Sequence, residues 1–444
     1  MKKDVKKLLK AAHEPSNLAR KMHPFYKGKI EVVPKCRIKD FNDFSVWYSP
    51  GVAAVCTDIH KNPELVYEYT NKWNSVAVVS DGTRVLGLGD IGPEAGMPVM
   101  EGKALLYKYL GGVDAYPICL DTKDENKIIE TVKILQPSFG GVNLEDIEQP
   151  KCFPVLQTLR KECRIPVWHD DQQGTALVTL AGFINALKVV GKKVGKVKVA
   201  LIGAGSANIC IARLLMLYGV KPGSIIMTDS KGTLHKGRTE LKNSYPEKWE
   251  MCQETNENGV QGYIKEAMEN ADAVIALSTP GPDIIKKEWI KAMAKNPIVF
   301  VCANPVPEIW PWEAKEAGAA VVATGRSDFE NQVNNSLGFP GVFRGVLDVR
   351  ASTISDTMAI TAAVELAACI ADNKIRANKI LPTMDDWKIF PQVAAAVGMR
   401  AIKEKLAGKK MSRDAIFNQA AEMIKRSRGI TETMMSKGYI KKFR

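Results

Sequence analysis

Val197-Lys-Val-Ala-Leu-Ile202, then Gly203-Ala204-Gly205-Ser206-Ala207-Asn208, then Ile209 to Tyr218: the reading of this stretch decides the fold. The first six residues are a compact apolar run of strand length, and the apolar spacing after Asn208 is helical. A glycine turn between a strand and a helix places backbone N–H groups and the helix N-terminus where a pyrophosphate can sit. Gly203 and Gly205 fill two positions of a dinucleotide fingerprint. The third holds Asn208 where Gly or Ala is usual, so the helix is expected slightly farther from its strand. A second strand, Ser224 to Thr228, ends in Asp229, 26 residues after Gly203. A carboxylate there accepts from a free ribose 2′-hydroxyl and repels a 2′-phosphate, which favours NAD.

The pattern extends in both directions. Downstream, apolar runs at Ala273 to Ser278, Ile298 to Cys302 and Ala320 to Ala323 alternate with helical segments, and Ser355-Asp356 precedes a long apolar helix, Met358 to Ala371. Strands separated by helices pair in parallel, because parallel neighbours need a crossover, and such a sheet is covered on both faces. Upstream, Val76 to Val79, Val85 to Gly87 and Ala115 to Cys119 are expected strands around helices at Gly102 to Tyr109 and Ile128 to Leu135. A helix at Cys152 to Glu162 leads to a strand at Ile165 to Trp168, and Lys61 to Lys72 reads as a helix. The expected class is α/β. A doubly wound parallel-sheet (Rossmann-like) dinucleotide-binding domain spans 165–390, an N-terminal α/β substrate and metal domain 1–164, and a basic helical segment, 391–444, packs back on the core.

Two acidic doublets stand at the mouths of apolar segments: Glu145-Asp146 in Asn-Leu-Glu-Asp-Ile and Asp170-Asp171 in Trp-His-Asp-Asp-Gln-Gln-Gly-Thr. Single doublets commonly cap helices or face solvent. These lie close in sequence to the dinucleotide fold, and the second sits in a strand-to-helix loop, where chemistry concentrates. Like charges beside apolar strands repel unless neutralised, and a hard, oxygen-preferring cation does that; Mg2+ or Mn2+ is expected. His169 is expected to orient the loop rather than bind metal. Metal carboxylates beside a nicotinamide fold suit oxidation of a hydroxy acid that can chelate.

Seven ordered motifs carry a resemblance to the malic enzymes of the short-subunit, bacterial-like type, over most of residues 13 to 400. They are Tyr48-Ser-Pro-Gly-Val-Ala, Ser80-Asp-Gly-Thr-Arg-Val-Leu-Gly-Leu-Gly-Asp, Glu101-Gly-Lys-Ala-Leu-Leu, Asn143-Leu-Glu-Asp-Ile, His169-Asp-Asp-Gln-Gln-Gly-Thr, Cys302-Ala-Asn-Pro and Asn334-Asn-Ser-Leu-Gly-Phe-Pro-Gly. The resemblance implies oxidative decarboxylation of L-malate to pyruvate and CO2 with reduction of NAD or NADP. It implies Glu145, Asp146 and Asp171 as metal ligands, Lys103 as base and Tyr48 as acid, with Asp170 hydrogen-bonded to Lys103. A basic Lys103 requires burial or the metal to lower its pKa. Arg84, after the Ser-Asp-Gly-Thr turn, is placed to grip a malate carboxylate with its planar fork, an interdomain salt bridge being the alternative; Asn304 and Asn335 match family positions near nicotinamide and substrate. In this family a pair such as Ser230-Lys231 can accommodate a 2′-phosphate, so the cofactor stays open. The rival readings are a non-decarboxylating hydroxy-acid dehydrogenase, an oxaloacetate decarboxylase and a non-catalytic dinucleotide sensor.

Composition sets bounds. Of 444 residues 45% are hydrophobic and 25% charged, ordinary for a globular protein. Its net charge of +13 resides at the ends: residues 1–40 and 401–444 each hold twelve Lys or Arg against four Asp or Glu. Aromatic stacking platforms are not interleaved there, so no nucleic-acid partner is expected. Neither secretory signal nor membrane span is expected, and nine scattered cysteines fit the reducing cytoplasm, an organellar matrix being the alternative. The forty residues before Tyr48 have no obvious core of their own, and the resemblance implies at least a homodimer.

Overall fold

The computed structural model describes residues 2–326 and 328–443. Two sheets organise the chain. In the first, β1 (Ser75–Ser80), β2 (Asp114–Cys119), β3 (Gly141–Leu144) and β4 (Val167–His169) run parallel in the order β2-β1-β3-β4. The strand at 165–168, expected to open the second domain, thus pairs as β4 with β3. The second sheet contains β5 (Val199–Ile202), β6 (Ile225–Asp229), β7 (Gly232–Thr233), β8 (Ala273–Ala276), β9 (Ile298–Val301) and β10 (Val321–Thr324), in the order β10-β9-β8-β5-β6-β7. All its pairs are parallel except the short return β7 on β6. The order reverses between β5 and β8, the switch point at which doubly wound sheets bind ligands.

Burial explains why these runs are strands. β1, β3, β5, β8, β9 and β10 are buried along their whole length, as expected of parallel strands covered on both faces. One apolar core runs continuously from Val76–Val79 in the first sheet through the helix Thr175–Val190 to Leu201 and Phe300 in the second. Together with the turn before it, the stretch Asp170–Val190 is apolar and long enough to cross a membrane, but 78% of its best window lies inside the protein. The helix Phe339–Asp348 leans on the helix Pro93–Gly111 through Tyr107, whose ring meets Phe339 and Phe343. The last helix, Arg413–Ser436, packs on Pro93–Gly111 as well, and Ser427 Oγ donates to the Lys108 carbonyl at 2.7 Å.

Two expected elements differ. Val85–Gly87 is a tight turn, with Leu86 at φ +50° and Val85 N–H donating to Gly89 O; an apolar run cannot extend through a left-handed residue. Lys61–Lys72 breaks into short turns because the side chains of Asn62 and Thr70 accept from nearby backbone N–H groups and compete with a continuous helix. Helices Asp43–Trp47 and Val52–Lys61 bury nothing within their own chain.

Candidate active site

A cleft of about 590 Å³ opens where the carboxyl ends of both sheets meet. Arg84, Lys103, Glu145, Asp146 and Asp171 from the first half line it, and Gly205, Ser206, Ala207, Asn304 and Asn335 from the second. The halves touch closely. A Cβ on Gly87 would stand 2.2 Å from the Asn304 carbonyl, so glycine lets the turn carrying Arg84 abut the loop after β9.

Local backbone geometry aims the acids. After β4 the chain makes one wide helical turn, Asp170–Gly174, before the helix Thr175–Val190; such π-type turns recur at functional sites. The turn sends Asp170 inward, fully buried, and leaves Asp171 partly open on the cleft. A Cβ at Gly174 would lie 1.8 Å from Asp170 Oδ1, so only glycine closes this turn around that carboxylate. After β3, Asp146 adopts φ +55°, a conformation that costs a non-glycine residue about 1–2 kcal/mol. There its N–H donates to Asp171 Oδ2 at 2.7 Å, and its carbonyl accepts from Arg84 N–H at 3.0 Å.

Lys103 Nζ stands between Asp170 Oδ2 at 2.7 Å and Glu145 Oε1 at 2.8 Å, 4.5 Å from the centre of the Phe339 ring. Asp170 Oδ1 accepts from Trp168 Nε1 at 2.9 Å, fixing the carboxylate from behind. Burial works against the charge on Lys103, but Asp170, Glu145 and Asp171 outweigh it and hold the ammonium above its ordinary range. That reverses the lowered pKa expected for a base. Burial also pushes Glu145 and Asp170 up, against the pull of Lys103, and with Asp171 it pushes Asp146 up to about 8.

Four carboxylates therefore face one buried ammonium, and Asp146 Oδ2 is buried with no hydrogen-bond partner. This excess of hard oxygen donors fits a divalent cation. In the present arrangement no three acids among the described residues converge as ligands: Lys103 occupies Glu145, and Asp171 accepts from the backbone of Asp146. His169 is buried; its backbone N–H donates to Gln173 Oε1, and its ring Nδ1 lies 3.7 Å from Asp171 Oδ2, against the loop it was expected to orient, with neither ring nitrogen hydrogen-bonded.

Other expected residues fall elsewhere. Tyr48 does not line this cleft; its side chain lies on the N-terminal arm with the residue 75% exposed. Among the described residues Arg84 makes no ion pair; its backbone N–H donates to the Asp146 carbonyl and it lines the cleft. Gly203, at φ +97°, shapes the turn beside Leu277, where a Cβ would meet a carbonyl at 2.5 Å. Asn208, expected to set the helix slightly farther from the strand, bridges the two: its buried amide donates to Ile202 O at 2.9 Å and Gly203 O at 2.7 Å. Asp229, Ser230 and Lys231 lie at the end of β6, outside the cleft lining.

Some residues escaped the sequence reading. Buried Glu308 accepts from Ser278 N–H at 2.8 Å and Ala303 N–H at 3.2 Å, joining the loops after β8 and β9. Asp81 accepts from Thr83 and pairs with Lys151 at 2.7 Å, while Thr83 Oγ1 accepts from Glu148 N–H. This brace joins the Arg84 turn to the Glu145–Asp146 loop. The only sequence signal was Asp81's place in Ser-Asp-Gly-Thr; nothing marked Glu308.

With this geometry in hand, residues 27–160 match the malic enzyme N-terminal domain and residues 172–404 the malic enzyme NAD binding domain. The chain belongs to the malic enzyme family. It is 50% identical over 386 residues to the bifunctional malic/malolactic enzyme of Bacillus subtilis, covering 87% of this chain and 93% of that one. It is 49% identical to the NAD-dependent malic enzyme of Geobacillus stearothermophilus, covering 86% and 78%. The crystal structure of Entamoeba histolytica malic enzyme superposes with a TM-score of 0.95 at 49% identity, covering 98% of this chain and 91% of that one. The protein is thus a malic-enzyme-family enzyme with an NAD(P)-binding domain.

Proposed function

We propose that this enzyme oxidatively decarboxylates L-malate to pyruvate and CO2, reducing NAD or NADP, and depends on a divalent metal. One observation carries the reading: the Lys103–Asp170 pair and three further carboxylates face the Gly205–Ala207 turn across a single cleft. Glu145, Asp146 and Asp171 would hold Mg2+ or Mn2+, which when bound polarises hydroxyl and carbonyl oxygens of the substrate. The Gly203–Asn208 turn would hold the dinucleotide, whose nicotinamide would supply the hydride acceptor. Arg84, which makes no ion pair among the described residues, grips a substrate carboxylate with its planar fork. With a divalent cation on Glu145, Asp146 and Asp171 offsetting the acids that keep it charged, Lys103 Nζ in its neutral form would take the proton of the malate hydroxyl, with Asp170 fixing its position. Asn304 and Asn335 orient nicotinamide and substrate without adding charge.

Tyr48 protonates the enolate carbon, and it does so from a second copy of the chain. Phe41 is 85% exposed, Val46 62% and Trp47 52%, all beside Tyr48. An arm whose described apolar residues are this exposed supports a homodimer whose arm reaches the neighbouring cleft. Nine free thiols support a reducing compartment such as the cytoplasm.

The test is malate with either cofactor, with and without Mn2+, following reduced cofactor, CO2, pyruvate and lactate. Metal-dependent pyruvate and CO2 in step with reduced cofactor are expected. Lactate without net cofactor reduction would instead favour a malolactic outcome, named for the Bacillus subtilis relative. Cofactor reduction without CO2 would defeat the decarboxylating assignment.

A further inference from the structure

We propose that Glu308 is a positioning residue: its carboxylate clamps the loop after β9 to the loop after β8 and thereby sets where Asn304 stands in the cleft. The proposal rests on the placement of Asn304 at nicotinamide and substrate. Glu308 follows Asn304 by one short turn of chain and is fully buried outside the cleft lining, whereas Ser278, Ala303 and Asn304 all line it. Its donors come from both loops. Oε1 accepts from Ser278 N–H at 2.8 Å and from Ser278 Oγ at 3.2 Å, and Oε2 accepts from Ala303 N–H at 3.2 Å. The Glu308 carbonyl accepts from Ile285 N–H at 3.0 Å, tying in the far end of the loop after β8.

Each oxygen of this carboxylate faces an N–H, so both must accept. An amide in the same place would turn its NH2 toward one of those groups and leave a buried donor unpaired, which is why a carboxylate is required. Burial pushes the carboxyl above its ordinary range, and the N–H groups of Ser278, Glu308 and Ala303 pull against it together with the Ser278 hydroxyl. Asn304 has no slack around it. A Cβ on Gly87 would stand 2.2 Å from its carbonyl oxygen and 3.1 Å from Pro280 Cγ, and a Cβ on Gly325, just after β10, would stand 2.9 Å from its Nδ2. Arg326 Nη1 donates to Pro305 O on the outer side of the same loop. The Arg84 turn and the loops after β8, β9 and β10 therefore interlock around Asn304, and Glu308 holds two of them together from the buried side.

The test is a double-mutant cycle on kcat/KM for malate, with amide hydrogen exchange of the free enzyme as a second readout. Glu308→Gln should lower kcat/KM by about 10- to 100-fold, as small misplacements of a bound geometry do. In an Asn304→Ala background the same change should cost less than about twofold, because the group it positions is gone. Segments 277–284 and 302–308 of Glu308→Gln should exchange faster than in wild type, while those carrying Lys103 and Asp171 keep their rates. Effects of the two substitutions that simply multiply would overturn the proposal, making Glu308 a residue of stability alone, and so would unchanged exchange in both segments. If Glu308→Gln fails to fold, Glu308→Asp decides: one carbon shorter, it keeps the charge but cannot bridge both loops, so the same non-additivity and faster exchange are expected, and wild-type kcat/KM overturns the proposal. An Asn304→Ala enzyme that turns malate over normally overturns the placement of Asn304 and this proposal with it. A damaged Asn304→Ala enzyme with multiplying effects overturns this proposal alone.

Discussion

Replacing Lys103 with methionine tests the site most directly, since it keeps an apolar stem against Phe339 and removes only the ammonium. At 2.8 Å and an effective dielectric of 20, each contact to Asp170 or Glu145 is worth about 6 kcal/mol before desolvation. Burial of the ions offsets much of that, and breaking a buried pair by removing one partner typically costs about 3–5 kcal/mol. Lys103→Met should therefore unfold at lower temperature in chelator and turn malate over at least ~100-fold more slowly. The same deletion leaves four carboxylates with no resident cation. Mn2+ should then bind more tightly than to wild type, by about 10- to 100-fold, and restore much of the lost stability by mass action. Thermal unfolding with and without Mn2+, Mn2+ titration calorimetry and malate turnover give the three readouts. A folded Lys103→Met protein that binds Mn2+ no better than wild type would show that these acids do not form the metal site; near-normal turnover would remove Lys103 from the chemistry.

Asp171→Asn keeps shape but withdraws a charge from the cleft, and kcat should fall by at least ~100-fold; full activity in excess chelator would end the metal assignment. Asp114 accepts from Lys108, Asn71 and Asn74, and although burial raises its pKa these partners bring it below the ordinary carboxylate value. Its folded pKa being depressed, its stabilisation is complete above about pH 4 and disappears as pH falls through the folded value. Denaturation of wild type and Asp114→Asn from pH 6 to pH 2 should therefore converge at the acid end, and a constant difference would contradict the assignment. Mixing inactive Tyr48→Phe and Asp171→Asn subunits under exchange should recover about a quarter to a half of normal activity if each site is shared across a dimer; active monomers by sedimentation would rule sharing out.

Most strands were legible because a parallel strand covered on both faces must be an unbroken apolar run, and Val76–Val79, Val199–Ile202 and Ile298–Val301 are such runs. The same rule misread Val85–Gly87, where apolar residues line a turn. Pairing was not legible. Nothing local tells β4 to join β3 rather than open the next sheet, since that choice is made by contacts distant in sequence. Charge balance was hidden for the same reason: Lys103 meets Asp170 across 67 residues, so its raised rather than lowered pKa could not be read from Glu-Gly-Lys-Ala-Leu-Leu. The pairing of Asp229 with Arg238 was hidden as well, because β7 must first turn the chain back on β6.

What could be read has a common geometry. Asp81–Arg84 follows β1, Glu145–Asp146 follows β3, Asp170–Asp171 follows β4, Gly203–Ser206 follows β5, Ser278 follows β8 and Asn304 follows β9. Each polar motif begins where a buried parallel strand ends, because there the chain leaves the apolar layer and its side chains can face a cleft without disturbing the sheet. Two such sheets placed carboxyl edge to carboxyl edge converge six loops on one volume. A strand run followed at once by a polar, glycine-bearing motif was therefore visible residue by residue. Tyr48 follows no strand: it sits between two helices that bury nothing in their own chain, so its role depends on a surface that folding of one chain does not supply.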